Sequence, residues 1–247
     1  MRALRNMLSF LTVLPFRMDE NMLSDCAKFM FVFPLIGALI GLLGGLFGWI
    51  CLYFLPSLVA GALILGILLL LTGLHHTDGL LDFGDGVMAH GSPERKVEVM
   101  HDQLTGAGGL TLGMMTLLVT AVALAFLNLN VVVQSVIVIE VAAKLSMVVG
   151  AWAGKAVHKG MASSFLEAMH GGKGNLRLVS ALLISFGIAL PLLWLNGVII
   201  ILAAFVAGLV MVAIAQRHFN GVTGDVLGAT NELVRMIAVV VLVALIQ

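Results

Sequence analysis

Long apolar runs alternate with short polar connections along the whole chain. Because an α-helix rises about 1.5 Å per residue, roughly 20 apolar residues cross a bilayer. On that scale the sequence predicts seven membrane-spanning helices: Phe29–Leu55, Leu58–Leu74, Gly108–Leu127, Val131–Ala153, Leu178–Leu195, Gly197–Ala215 and Leu233–Ile246. The last span is short, and a start further upstream, within Val226–Glu232, is the alternative. The pattern predicts an all-α fold, a polytopic integral membrane helical bundle forming one domain over residues 1–247.

The first 28 residues differ from the predicted spans. Arg2 and Arg5 precede a short apolar run, Met7–Phe16, which contains Pro15 and lacks the small-x-small cleavage site of a signal peptide. Charged residues follow it, namely Arg17, Asp19, Glu20 and Asp25. Residues 1–28 are therefore predicted to form an amphipathic segment at the membrane interface.

The connections on the two sides of the predicted bundle differ in charge. Those after the first, third and fifth spans are very short and uncharged. The other three, about residues 75–107, 154–177 and 216–232, hold nearly every charged residue together with the N-terminus. By the positive-inside rule this side is the cytoplasm, which places the N-terminus inside and predicts a multi-pass protein of the cytoplasmic membrane.

Composition narrows the function classes. A mean hydropathy of +1.13 with only 11% charged residues excludes a soluble domain and a disordered chain. The balance of 13 basic and 13 acidic residues argues against a nucleic-acid partner. Because nearly all charged residues lie on one side of the predicted bundle, the sequence favours a membrane enzyme with a cytosolic site, with a transporter as the alternative.

Three aspartates follow the second predicted span. If the helix continues, Asp78, Asp82 and Asp85 stand at i, i+4 and i+7 and share one face. Like charges at that spacing repel, unless a cation lies between them. Carboxylate oxygens suit Mg²⁺, with Mn²⁺ as an alternative, and Mg²⁺ usually completes its shell with water and substrate phosphates. The three aspartates are therefore predicted to bind metal and a phosphorylated substrate, although a solvated acidic face remains the alternative.

Neighbouring residues allow two interpretations each. His75 and His76 could act as ligands or bond to headgroups and loop carbonyls. Gly79, Gly84 and Gly86 fit the close approach of a bulky substrate and equally fit tight helix packing. The glycines from Gly106 to Gly109 either offer backbone N–H groups to an anion or serve as turn and packing residues.

Two charges lie inside the fourth predicted span. Glu140 and Lys144 stand at i and i+4, and charges at membrane depth are usually paired and often functional. One interpretation is an ion pair that only fixes packing. The other is that Lys144 presents its ammonium group to a substrate phosphate while Glu140 orients it.

Three motifs give the chain a family resemblance. They are D-G-x2-D-x2-D-G over residues 78–86, M-x-D-x3-G-x2-G over residues 100–109 and T-G-D-x-L-G-A over residues 223–229, followed by Glu232. In order and spacing they resemble the cobalamin synthase family, the adenosylcobinamide-GDP ribazoletransferases. Departures are Val13, Gln103-Leu104 and Lys144, where the family often has a basic residue, Ser-Arg and arginine, respectively.

The resemblance implies an activity and further site residues. Such enzymes join adenosylcobinamide-GDP to α-ribazole or its 5′-phosphate and release GMP. Asp78, Asp82 and Asp85 would hold one or two Mg²⁺, and one of them, or Asp102, would act as general base. Binding residues implied around the substrate are Lys144, Asp225, Thr223, Gly79, Gly86, Gly106, Glu232 and His76.

Two other functions remain open at this stage. A phospholipid-synthesising CDP-alcohol phosphotransferase also carries several carboxylates on one helix, but the fuller motif of those enzymes is absent from this sequence. A cation transporter would be expected to place further acids at mid-membrane depth, where only Glu140 is seen. Membrane lipid is an expected partner, and a homo-oligomer or an association with other cobamide-pathway enzymes is conceivable, although no residue argues for either.

Overall fold

Helices make up nearly all of the structure. The computed structural model describes residues 2–14 and 20–246, and within them there is no β-strand. The predictions for Pro15, Phe16, Arg17 and Asp19 lie outside the described residues. The α-helices in chain order are α1 Arg2–Leu11, α2 Met22–Lys28, α3 Phe33–Phe54, α4 Ser57–Leu71, α5 His75–Met88, α6 Pro93–Met100, α7 Ala107–Leu124, α8 Val132–Ala153, α9 Met161–His170, α10 Gly174–Phe219 and α11 Gly224–Ile246. A short 3-10 helix, Met30–Val32, leads into α3.

Several of these helices can cross a membrane. Among the described residues five segments are long and apolar enough: Met30–Phe54, α7, α8, α10 and α11. The bent pair α4 and α5 would add a sixth span if taken together. The all-α, polytopic membrane architecture is thus confirmed, whereas the count of seven is not.

Helix α10 is too long for one crossing and contains a sharp reversal. Its 46 residues are interrupted at Trp194, whose φ of 54° and ψ of −134° are not helical. A Cβ added at Gly197 would lie 2.3 Å from the carbonyl oxygen of Ala189, so residues eight positions apart touch and the chain turns back on itself. The break lies two residues before Asn196, the predicted connection between two spans.

Helix α8 is the centre of the bundle, with α3, α10 and α11 packed around it. It is buried along almost its whole length. Gly37, Gly41 and Gly45 of α3 recur at every fourth position, and a Cβ at Gly41 would lie 2.6 Å from the Cα of Ile137. Small residues at this spacing let two helix backbones touch, which is a common source of stability in membranes.

The N-terminal helix α1 packs on α2. Met7 and Leu11 are buried on its apolar side, while Asn6 donates to Asp25 at 3.0 Å. The Arg2 guanidinium pairs with the same carboxylate at 3.0 Å. Within the predicted amphipathic segment, α1 is therefore a helix anchored to α2.

A sharp elbow separates α4 from α5. Gly73 and Leu74 have φ of 65° and 62°, and the two helices meet at 97°. Only glycine adopts positive φ freely, so Gly73 suits the turn. The aspartate helix therefore begins anew at His75 rather than continuing the second predicted span.

The three predicted cytoplasmic loops are shorter than expected. Residues 75–107 contain α5 and α6, and residues 154–177 contain α9 and the start of α10. In the third, α11 begins at Gly224, so only residues 220–223 connect two helices. The prediction that 216–232 is a loop is wrong because Glu232 is paired inside the bundle with Arg235 and the helix can bury it.

Candidate active site

Helix α5 presents its aspartates beside the start of α11. Asp78, Asp82 and Asp85 do lie on one helix, as the spacing predicts. A Cβ at Gly79 would lie 2.9 Å from the Cα of Asp225, so α5 and α11 touch through their backbones. This contact adds a fourth carboxylate, and we call Asp78, Asp82, Asp85 and Asp225 the acidic cluster.

The carboxylates of the acidic cluster interact electrostatically. Partial burial, and then repulsion by Asp78, Asp225 and Asp85 in that order, raise the pKa of Asp82 to about 7. Each of these negative charges disfavours ionisation of the next. A cation bound among them would relieve this repulsion.

Asp85 has a structural partner of its own. Its Oδ2 accepts from the N–H of Gly106 at 2.7 Å and its Oδ1 from the N–H of Gly109 at 2.8 Å. These are orphan donors at the N-terminus of α7, where a negative charge also meets the positive end of the helix dipole. The anion that the glycine segment was predicted to bind is thus, in this structure, the chain's own Asp85.

Histidines border the cluster on the Asp225 side. The Nε2 of His101 lies 3.8 Å from Oδ2 of Asp225, and the His101 and His158 rings are 5.6 Å apart. Thr223 donates its hydroxyl to Asp225 at 3.4 Å and accepts from the N–H of Val226 at 3.2 Å. Thr223 therefore caps α11 and positions the carboxylate.

Asp102, the alternative general base, lies on an exposed turn. Its Oδ1 accepts from the backbone N–H of Leu104 at 3.2 Å. This bond holds the turn between α6 and α7. A catalytic role for Asp102 stays a prediction.

The donor set suits a hard cation. Within residues 2–14 and 20–246, no three His, Cys, Asp or Glu side chains converge closely enough to enclose a metal ion by themselves. Mg²⁺ commonly uses only one or two protein carboxylates and takes its other ligands from water and phosphate. Asp78 is exposed and Asp82 half-buried, so both are open to such an ion.

A second polar group lies inside the bundle behind the acidic cluster. Arg235 donates to Glu140 at 2.5 and 3.2 Å and also to Glu232. Asn231 links this pair to Lys144, whose Nζ donates to its Oδ1 at 2.6 Å. Two positive and two negative charges are therefore neutralised where none is more than 1% exposed. We call these five residues the buried network.

Glu140 and Lys144 interact electrostatically, as predicted, but among the described residues neither is the other's hydrogen-bond partner. Glu140 is held by Arg235, and Lys144 is held by Asn231. Arg235 was not among the predicted site residues, although an arginine within an apolar span is itself a signal of pairing. Binding of phosphate by Lys144 or Glu232 stays a prediction, and both side chains are fully buried here.

The glycines of α5 have packing roles in the structure. A Cβ at Gly86 would lie 2.4 Å from Cγ of Met100, and one at Gly84 would lie 2.8 Å from the Cα of Gly109. These contacts seat α5 against α6 and α7. Of the two interpretations of the glycines, tight helix packing accounts for their positions.

Comparisons with known proteins identify the family of the chain. The family model described as cobalamin-5-phosphate synthase matches residues 3–243. The chain belongs to the cobalamin-5-phosphate synthase family. The match includes the acidic cluster and the buried network.

Similar proteins are found in archaea. An adenosylcobinamide-GDP ribazoletransferase of Methanocella arvoryzae is 34% identical, covering 96% of this chain and 94% of the relative. Those of Methanococcoides burtonii and Thermococcus kodakarensis are 32% and 31% identical, each covering 97% of this chain and 91% and 97% of their own length. No solved structure matches the chain.

Proposed function

We propose that this membrane protein is an adenosylcobinamide-GDP ribazoletransferase. It transfers the phosphocobinamide group of adenosylcobinamide-GDP to α-ribazole or α-ribazole 5′-phosphate and releases GMP. The observation that supports this most strongly is the similarity, over nearly the whole chain, to relatives that bear this name. The acidic cluster supplies the chemistry that a diphosphate substrate requires.

The reaction is a displacement at phosphorus. A ribose hydroxyl oxygen forms a bond to the cobinamide-side phosphorus, the bond from that phosphorus to the bridging oxygen breaks, and GMP leaves with the bridging oxygen. Such transfers depend on positioning and charge stabilisation rather than on covalent catalysis by the protein. The reaction also requires a general base that accepts the proton of the attacking hydroxyl.

Asp78 and Asp82 are the residues best suited to hold Mg²⁺, because Asp78 is exposed and neither carboxylate, unlike that of Asp85, is held by the N-terminus of α7. When bound, the ion would neutralise charge on the diphosphate. Asp85 contributes differently, because both of its oxygens bond to the N-terminus of α7 and so fix α5 against that helix.

Asp225 is the proposed proton acceptor. It lies beside Asp78 and within 3.8 Å of the imidazole of His101, which can pass a proton to solvent because it is exposed. Thr223 holds the carboxylate in place. The aspartates of α5 are less suited to this role, because Asp78 and Asp82 would bind the metal and Asp85 bonds to the N-terminus of α7.

The active site is proposed to face the cytoplasm, with the N-terminus on the same side. The basic loops of the sequence support this orientation through the positive-inside rule. Both substrates carry polar or charged groups, which would meet the site from water while the spanning helices remain in lipid.

The test is release of GMP by purified protein in detergent with Mg²⁺, adenosylcobinamide-GDP and α-ribazole. We expect GMP to appear only when both substrates are present, and EDTA to stop it. Asp82→Asn is expected to abolish release, whereas Glu98→Gln, a matched change at an exposed acid of α6, leaves it unchanged. CMP formation from CDP-diacylglycerol and an alcohol, without GMP release, would instead indicate the phospholipid-synthesising alternative.

A further inference from the structure

An apolar cavity of about 320 Å³ opens next to the acidic cluster. Its wall joins α1, α2, α3 and α9 on one side to α5 and α11 on the other. His75, His76 and Asp225 belong to this wall, so the cavity and the acidic cluster share a boundary. Small-molecule sites in proteins commonly have volumes of about 300–1,000 Å³ and a few polar groups in an apolar lining.

The lining suits a flat aromatic ring. Phe165 lies 5.4 Å from the ring of Phe10 and 6.0 Å from that of Phe33, and all three face the cavity. Met30 and Met147 add polarisable side chains. Aromatic rings stack on or meet other rings edge to face, and methionine sulfur packs well against ring edges.

A polar group stands at the boundary with the cluster. His76 is only 7% exposed, and its Nδ1 has no hydrogen-bond partner among the described residues. Buried polar atoms are nearly always bonded in folded proteins. The Nδ1 itself has no surface open to the cavity, but His75 and Asp225 line the same wall, and their polar atoms can bond to a ring nitrogen or a sugar hydroxyl, which a hydrocarbon chain lacks.

We propose that this cavity binds the aromatic benzimidazole base of the ribazole nucleoside, with its ribose directed towards Asp225. This inference rests on the proposed function, because it assigns one of the two substrates to a place. A base held here would put the sugar hydroxyls at the edge of the acidic cluster, while the diphosphate substrate approaches α5 from solvent. The three aromatic rings of the lining and the polar groups at its edge favour an aromatic base over a lipid chain.

The test is to reduce the cavity from α9, which holds none of the acidic residues. Ala162 lines the cavity, and Ala168 is a half-buried alanine of the same helix outside the lining. By equilibrium dialysis, Ala162→Leu is expected to weaken α-ribazole binding by about tenfold or more and to leave adenosylcobinamide-GDP binding unchanged. Ala168→Leu should change neither affinity.

Several results would overturn the proposal. Unchanged α-ribazole binding in Ala162→Leu would do so. A bound lipid that native mass spectrometry detects in the wild type but not in Ala162→Leu, while both bind the nucleoside equally, would also do so, because the cavity would then hold lipid. If Ala162→Leu does not fold, an azido-benzimidazole riboside provides the test in the wild type. Crosslinks to α9 or to Phe10 and Phe33 are expected, and labels confined to α6 and α7 contradict the site. If the wild type releases no GMP, the proposed function itself is refuted. If it releases GMP but Ala162→Leu binds α-ribazole as tightly as the wild type does, only the binding site for the base is refuted.

Discussion

Arg235 binds Glu140 through two hydrogen bonds, 2.5 Å from Nε and 3.2 Å from Nη2, across the contact between α8 and α11. Both side chains are at most 1% exposed. The sequence separation of 95 residues makes this pair a fixed connection between the central helix and the last one. Since α11 begins with Asp225, the same connection sets the position of one wall of the acidic cluster.

Removal of Arg235 is therefore expected to destabilise the fold. Arg235→Met leaves Glu140 and Glu232 buried without a positive partner, and breaking a buried pair in this way costs about 3–5 kcal/mol. Arg95→Met removes the exposed pair with Glu98, which is worth at most about 1 kcal/mol. Unfolding in detergent measures both variants, and equal effects would contradict the importance of the buried network.

Asp85 is expected to stabilise the N-terminus of α7. In Asp85→Ala the amides of Gly106 and Gly109 lose their acceptor, and loss of a helix cap costs about 1 kcal/mol, or roughly fivefold faster exchange. Hydrogen–deuterium exchange over residues 106–110 measures this change. Asp102→Ala, which removes an exposed turn bond to Leu104, should leave these amides unaffected. Unaltered exchange in Asp85→Ala would assign Asp85 no structural role.

Asp82→Asn should make the protein more stable while it abolishes turnover. The pKa of Asp82 is raised to about 7 by burial and by its acidic neighbours, so its charge is unfavourable at neutral pH when no cation is bound. After allowing for solvent screening, we expect a gain of about 1–2 kcal/mol in EDTA. Thermal unfolding with and without Mg²⁺ tests this. A variant less stable than the wild type in EDTA would contradict the repulsion.

Gly79 is expected to tolerate no side chain. In Gly79→Ala the new Cβ would meet the backbone of Asp225 at 2.9 Å, which neither helix can relieve without separating. Overpacking of this kind costs about 1–3 kcal/mol, and displacement of Asp225 should lower GMP release as well. Gly66→Ala in α4 is the matched control, because nothing lies within 4 Å and alanine favours the helix. Equal stability of the two variants would refute the close contact of α5 and α11.

The orientation in the membrane can be tested by reporter fusions. Asn130 lies in the short connection between α7 and α8, and Ser92 precedes α6; both are exposed. One crossing helix, α7, separates them, so a reporter at Ser92 should be cytoplasmic and one at Asn130 should be outside. Reporters on the same side would remove the proposed topology.

Much of the fold was predictable from the sequence because apolar runs in a membrane protein have a fixed length. The approximate spans over α3, α7 and α8 and the break near Trp194 follow from that constraint. The start of α11 was predicted too late, because the polar Asn231 and Glu232 precede the apolar run; the alternative start within 226–232 is closer to the observed Gly224. Asn231 bonds to Lys144, 87 positions away, and Arg235 bonds to Glu140, 95 positions away, and no local pattern reveals such distant partners.

In the candidate site, too, some features follow from local sequence pattern and others depend on contacts between distant residues. Helical spacing alone aligned Asp78, Asp82 and Asp85, because the period of an α-helix is fixed. That Asp225 joins them, and that Asp85 serves α7, depends on backbone contacts between distant helices. Such contacts are set by three-dimensional packing, so sequence spacing could not distinguish the open carboxylates from the capping one.

The right-angled elbow at Gly73 and Leu74 has a consequence for how a very large molecule can be handled at a bilayer. If α4 crosses the membrane, a helix that turns away from it by 97° runs along the boundary and not into the depth. The aspartates of α5 then lie at the membrane surface, where only the diphosphate group of a bulky macrocyclic substrate needs to reach them. The rest of the molecule could stay in water throughout the reaction.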